Sequence, residues 1–340
     1  MNTRKIILDV MLLLGALAAT AEPTVTDVVA KQRYPWNGLV DITCKVTGID
    51  GSDQWKFSVE AVMPDTGNAQ KVSQFWVVKN GVNSTDKKVQ ANGNYKLLWD
   101  AKTDLGQVTY DNMVMRVTVV DLHGKVQLWE GGPYWADTNI GAENPEDYGY
   151  YFWWGDTVGY TRSGGTWDNS NSIYSGVTWV SSAGQQMNSS PFSSSSCPTY
   201  NQSSALQSAG WIDSTGNLVP EHDAAHVHWG GDWRMPTGAE ISALISNCTT
   251  TWTTQNGVYG RLVTGKGVYA DRSIFLPSAG DGNGSYLYGT GSRGHCWSST
   301  PGSGSSNSAW YLDFNSGSFS RDYNIRYYGR SVRPVRGFAE

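Results

Sequence analysis

From residue 55 onward the first third of the chain repeats apolar side chains at every second position. Trp55, Phe57, Val59, Ala61 and Met63 form one such series, Tyr95, Leu97 and Trp99 a second, and Met113, Met115, Val117 and Val119 a third. A period of two puts successive side chains on opposite faces of an extended backbone, so each series predicts a strand with one buried face. Asn92-Gly93 is a turn signal, and no convincing helical period separates the strands. Residues 22–124 therefore read as an all-β, immunoglobulin-like antiparallel sandwich. Nothing in it has a catalytic pattern.

After residue 125 the pattern becomes irregular and aromatic-rich, with two short helical segments. The first lies around Glu221 to Trp229 in "EHDAAHVHW". The second begins after Pro236, where Thr237-Gly-Ala-Glu240 has capping-box spacing and Ile241, Leu244 and Ile245 supply one apolar face. The Ser/Asn/Gly-rich stretch from Ser163 to Gly210 reads as long surface loops. Residues 125–340 thus predict an α+β domain rich in irregular loops. Trp229, Trp233, Trp252, Trp297 and Trp310 are expected to anchor its core.

The end of the chain, "WYLDFNSGSFSRDYNIRYYGRSVRPVR", alternates again. Trp310, Leu312 and Phe314 are expected inward, and Tyr311, Asp313 and Asn315 outward. Asn315-Ser316-Gly317 predicts a hairpin turn, and beyond it the outward candidates are Ser318, Ser320, Asp322, Tyr323, Asn324, Tyr327 and Tyr328. Tyr offers broad contact area at modest entropy cost and Ser and Asn adapt their hydrogen bonds, which is the composition of an antibody's contact loops. These ten outward residues form the candidate ligand-binding face. Arg321, Arg326, Arg330, Arg333 and Arg336 are expected to pair with carboxylates or to brace that face.

Composition narrows the setting. A chain of 340 residues suits two domains, and 39% hydrophobic against 16% charged residues describes a globular protein. Arg4 and Lys5 precede an apolar stretch from Ile6 to Ala18, and Ala19-Thr20-Ala21 is a small-residue cleavage pattern, so residues 1–21 read as a signal peptide. The protein is then secreted or exposed at the cell surface. No cysteine follows the cleavage point and no later apolar run is long enough for a membrane-spanning helix, so neither a lipid anchor nor an integral membrane protein is expected. Removing Arg4, Lys5 and Asp9 from 25 basic and 30 acidic residues leaves 23 and 29, a net charge of −6. A mildly acidic chain is not a general nucleic-acid binder.

Five segments occur in an order that resembles a known family: "YWADTNIGAENPEDYGYYFWWGDT" from Tyr134, "HDAAHVHWGGDWRMPTGAEISALISNCTTTWTTQNGVYG" from His222, "SIFLPSAG" from Ser273, "CWSSTP" from Cys296 and "GRSVRPVR" from Gly329. They resemble the Fibrobacter succinogenes major paralogous domain family, over residues 125–338. Cys296 is a departure, since the family more often has Tyr there. The resemblance implies a C-type-lectin-like fold related to the formylglycine-generating enzyme superfamily. It further implies a Cys197–Cys248 disulfide, and an external protein or glycan as ligand. In some lectin-like proteins with such an ending, diversity-generating retroelements rewrite the exposed positions with Asn, Tyr, Ser and Asp codons. The stretch "QRYPWNGLVDITCKV" resembles the N-terminal modules of exported bacterial proteins that carry such domains.

Other constellations admit chemistry. Four cysteines allow three full pairings, but Cys44 falls on the apolar side of "VDITCKV" and is expected buried and unpaired. His222, His226 and His228 could place two imidazoles on one helical face, yet no carboxylate–histidine protease motif accompanies them, and no metal is expected. Glu143, Glu146, Asp147 and Asp156 lie in one turn-rich segment and suit capping better than glycoside hydrolysis. "GDGNGS", Gly280 to Ser285, has the oxygen-rich look of a calcium loop without its remaining ligand positions; no cofactor is expected, with calcium as the alternative. A formylglycine-generating-type oxidase needs paired thiols for copper, which Cys296 would gain only from Cys197 or Cys248. A non-enzymatic binding protein is the main expectation, with that oxidase or a structural surface protein as alternatives.

Overall fold

The structure, a computed structural model, describes residues 23–34, 37–49, 55–63, 67–106, 113–202, 205–302 and 307–337. The expected signal peptide lies outside the described residues. The chain divides into two compact units. One takes in the described residues up to Val120 apart from 55–56 and 88–90, which fall with the residues from Asp121 onward in the other.

The first unit is built on two antiparallel sheets. One orders the strands Thr24–Gln32, Leu39–Thr47, Gly93–Asp100, Phe75–Lys79 and Val82–Ser84. In the other, Trp55–Val62 pairs with Ala69–Lys71, Lys88–Val89 and Val114–Asp121. The period of two is realised as burial: Phe57, Val59 and Ala61 are buried, as are Met115, Val117 and Val119. Phe57 meets Tyr95 of the first sheet edge-on at 5.0 Å. Cys44 is buried and unpaired, among the alternating core positions Ile42 and Val46. A short helix, Ala101–Leu105, was not legible in the hydrophobic pattern because it buries no residue. It forms because Asp100 caps it, and Asp104 then accepts from the Ser73 and Gln74 amides and from the Trp99 indole.

The second unit is mostly β, with several small antiparallel sheets. Its last strand, Val335–Arg336, pairs with Tyr134–Ala136 on one side and with Trp233–Arg234 on the other, joining the start and end of the unit. Both expected helices are present. The first is Ala224–Trp229, capped by Asp223, after a 3-10 turn over Pro220–His222. The second is Gly238–Asn247, in which Thr237 and Glu240 exchange both capping-box hydrogen bonds and Ile241 and Leu244 are buried.

The stretch from Ser163 to Gly210 is not surface loop alone. It contains the strands Thr166–Asp168, Ile173–Ser175 and Thr178–Ser181, and it buries Trp179, Phe192, Cys197 and Leu206. Its apolar residues are too widely spaced to show a period, yet Trp179, Phe192 and Leu206 each enter a core. Of the five expected tryptophan anchors, Trp229, Trp233 and Trp297 are buried, and Trp252 and Trp310 are half-buried.

The expected Cys197–Cys248 disulfide is absent, since all four cysteines are free and buried. The two sulfurs serve different surroundings. Cys248 ends the second helix and packs with Cys296, Leu128, Leu244 and Phe314, a cluster that does not include Cys197. The Cys197 thiol lies 3.2 Å from Thr199 Oγ1 instead. Burial pushes the Cys248 and Cys296 thiols up to about 11 and raises that of Cys197.

The arginines brace the unit mainly through carbonyl groups and aromatic faces. Arg326, Arg330 and Arg333 are each 1% exposed or less. Arg333 donates to Asn139 Oδ1, Ala136 O and Phe275 O at 2.9, 3.0 and 2.9 Å. Arg326 donates to Ser308 O and Thr199 O and lies over Trp154. Arg336 also reaches carboxylates, those of Asp121 and Asp232, at 3.6 and 3.7 Å.

Candidate binding face

The terminal sheet consists of the strands Arg293–Pro301, Ser308–Asn315 and Phe319–Ile325, with the middle strand paired on both sides. Directly paired residues point to the same face, so the register sorts the side chains into two sets. Trp297–Tyr311–Asp322, His295–Asp313–Ser320 and Ala309–Asn324 fall on one face. Trp310–Tyr323, Leu312–Arg321 and Phe314–Phe319 fall on the other. The ten candidate ligand residues are therefore not one surface.

Tyr311 overturns its expectation. It is 4% exposed, not outward, because this central strand is packed on both faces: Leu312 and Phe314 enter one core and Ala309 and Tyr311 another. Trp297 meets the Tyr311 ring at 5.8 Å and the Arg330 guanidinium lies 3.6 Å above it. Trp310, expected inward, is half-buried at the opposite edge, where Arg321 covers it at 4.2 Å and donates to Gly238 O. Tyr323 is 50% exposed but shares that second face, 5.2 Å from Trp310. Asn315 builds the hairpin turn, its side chain accepting from the Gly317 and Ser318 amides while its carbonyl accepts from Arg261.

What remains on the first face is a compact polar array: Asp313, Ser318, Ser320, Asp322 and Asn324. Asp322 is exposed and the other four are half-buried. Ser318 and Ser320 hydroxyls are 3.4 Å apart. Tyr328 is half-buried beyond the strand, and Tyr327 packs edge-on against both Tyr200 and Tyr328 at 5.2 Å.

Beneath this array lies a buried ionic cluster that no local motif announces. His295 is 6% exposed, with Nε2 3.0 Å from Asp313 and Nδ1 3.5 Å from Asp281. Burial works against ionised Asp313, but the His295 hydrogen bond and the charges of His295, Arg330 and Arg293 hold its carboxyl below the usual range. Arg330 has no hydrogen-bond partner at Nε or Nη1 among the described residues. Its charge is stabilised instead by the faces of Trp297 and Tyr311, an interaction that strengthens where water is excluded. Asp281, His295, Asp313 and Arg330 come from four separate segments, so only the folded chain brings them together.

The side chains of the remaining constellations make contacts within the chain. His222 stacks on Trp211 at 3.8 Å, and His228 bonds to Thr157 O while packing on Phe152. Among the described residues no three His, Cys, Asp or Glu side chains are arranged to hold a metal ion. Glu146 accepts from Gln255 and Asn256, and Asp147 accepts from the Glu143 and Asn144 amides. Asp156 is buried and accepts from the Val158 and Gly159 amides; burial raises its carboxyl to about 6. "GDGNGS" is a β-hairpin in which Asp281–Asn283 pairs with Tyr286–Tyr288 and Gly284 has φ +58°.

No curated protein and no solved structure matches this chain. One family model does, and it takes in the buried arginines, both helices and the whole terminal sheet, as well as four of the five motifs read from the sequence. That model is described as the Lcl C-terminal domain and covers residues 156–336, more than half of the 340 residues, so the chain belongs to the Lcl C-terminal domain family.

Proposed function

We propose that this is an exported, surface-associated bacterial protein that binds an external protein or glycan through the polar face of its terminal sheet. The family match supports surface association. The observation that carries the binding reading is the array of Asp313, Ser318, Ser320, Asp322 and Asn324 on one face of a sheet whose middle strand is locked into cores on both sides. A ligand meets hydrogen-bonding groups already held in place, so little ordering entropy is lost on binding. The lectin-like fold and the immunoglobulin-like character of the first unit belong to the same proposal. So does programmed diversification, because the array consists of the residue types it supplies, mounted on a scaffold of buried Trp and Arg.

A non-enzymatic role is part of the reading. A copper oxidase of the formylglycine-generating type, which needs paired thiols, is the alternative reading: Cys248 and Cys296 share one buried core, where burial raises both thiols to about 11. The test is to compare the full chain with a Ser320→Ala/Asp322→Ala/Asn324→Ala variant on arrays of extracellular proteins and glycans. Ligands bound by the parent should be lost more than about tenfold while the fold, read by circular dichroism, persists. Unchanged binding by the triple variant would remove this face from the function.

A further inference from the structure

We propose a second binding site, separate from the terminal sheet: a tyrosine-lined cleft in the second unit that accepts one neutral sugar ring. The cleft has a volume of ≈ 260 Å³ and is walled by Tyr148, Tyr151, Thr161, Arg162, Tyr174 and Thr290. Its size lies just below the ~300 Å³ at which pockets begin to hold drug-sized ligands, which suits a single pyranose. The walls are carried on rigid strands: Thr161 and Arg162 on Tyr160–Ser163, Tyr174 on Ile173–Ser175, and Tyr151 bridged to Tyr160.

The lining is matched to a ligand with apolar faces and hydroxyl edges. Tyr151 commits its hydroxyl to Ala279 O at 2.7 Å and therefore offers the cleft only its ring. Tyr174 extends the aromatic surface outward, 4.7 Å from the 40%-exposed Trp167. Burial, with the neighbouring Tyr174, raises the Tyr148 phenol, which stays protonated and able to donate. Thr290 Oγ1 is buried with no hydrogen-bond partner among the described residues. A buried hydroxyl without a partner is costly, and rotation of the Thr290 side chain toward a sugar hydroxyl in the cleft supplies the missing bond.

Charge argues for a neutral ligand. Among the described residues that wall the cleft, Arg162 alone is charged; it is exposed, lies 3.8 Å over the Tyr174 ring and donates to Gly164 O. An anion would find a single, solvent-screened and already occupied cation, and an ammonium would meet a like charge. Neither is favoured over a sugar that stacks on the rings and bonds to Tyr148, Thr161 and Thr290.

Saturation-transfer NMR and calorimetry on the full chain, with glucose, galactose, mannose, N-acetylglucosamine and glucuronate as probes, test this. At least one neutral sugar should saturate with a Kd of about 1–10 mM. Thr290→Val, nearly isosteric, should weaken it more than about fivefold, while Thr290→Ser preserves it. The triple variant of the terminal sheet should bind that sugar as the parent does, which separates the two sites. The proposal is overturned if no neutral sugar saturates below about 50 mM, if glucuronate binds best, or if Thr290→Val binds normally. Loss of sugar binding in the triple variant would likewise overturn it, by placing the sugar on the terminal sheet.

Discussion

Tyr311 and Asp322 are paired across the terminal sheet and point to the same face, yet they should respond to truncation in opposite ways. Tyr311 is 4% exposed and touches Trp297, His295 and Arg330. Removing a buried aromatic ring costs about 3–5 kcal/mol in transfer and cavity terms. Tyr311→Ala also uncovers one face of Arg330, forfeiting a desolvated cation–π contact of about 2 kcal/mol. The expected destabilisation is about 5 kcal/mol, a large share of the roughly 5–15 kcal/mol that holds a domain folded. Tyr311→Phe keeps the ring and loses only a hydroxyl, so it should cost about 1 kcal/mol. Asp322→Ala removes an exposed side chain and should change stability by no more than about 0.5 kcal/mol while weakening ligand binding. Urea titrations followed by tryptophan fluorescence, with calorimetry to separate the transitions of the two units, measure all three. A Tyr311→Ala variant within about 1 kcal/mol of the parent would refute the burial of this ring and return it to the ligand-binding set.

Three further outcomes can be measured. Arg333→Met removes a guanidinium that joins three chain segments; losing three charge-assisted bonds outweighs the relief of a buried charge, and a loss of about 2–4 kcal/mol in urea is expected, with no change as the contrary result. Asp156 has a carboxyl raised from 3.8 to about 6 by burial, so the folded chain holds a proton that the unfolded chain releases. Its contribution to stability is present below about pH 4 and lost as pH rises through 6: the stability of the parent relative to Asp156→Asn should fall by on the order of 3 kcal/mol between pH 4 and 7.5, and a flat difference would contradict it. The four free, buried thiols should be silent to a thiol reagent in the native protein and all react in denaturant, whereas titration of only two in denaturant without reductant would restore a disulfide.

The strands of the first unit were legible because one face of each meets a core and the other faces solvent, which writes a period of two into the sequence at Phe57, Val59 and Ala61 and at Met115, Val117 and Val119. The capped helix was legible for an equally local reason, since Thr237 and Glu240 satisfy each other's neighbouring amides within four residues. The Ala101–Leu105 helix was not, because it has no buried face and depends on Asp104 reaching Ser73 and Trp99.

The terminal sheet marks the limit of that reading. Alternation along Trp310 to Asn315 correctly separated two faces, but it could not tell which was wet, and for a strand packed on both sides the assumption that one must be wet fails at Tyr311. The cysteines show the same limit: four thiols in a chain read as exported suggested a bridge, and whether Cys197 meets Cys248 depends on which core each enters. Asp281, His295, Asp313 and Arg330 have no sequence relation to one another, and their mutual electrostatics exist only after folding. The sequence by itself thus determined which segments extend, where the helices start and which residue types could make contacts, because those follow from neighbours a few positions apart. Tertiary structure alone decided which of those residues are exposed and which charges lie together, because burial and Coulomb interaction depend on distance through space rather than along the chain.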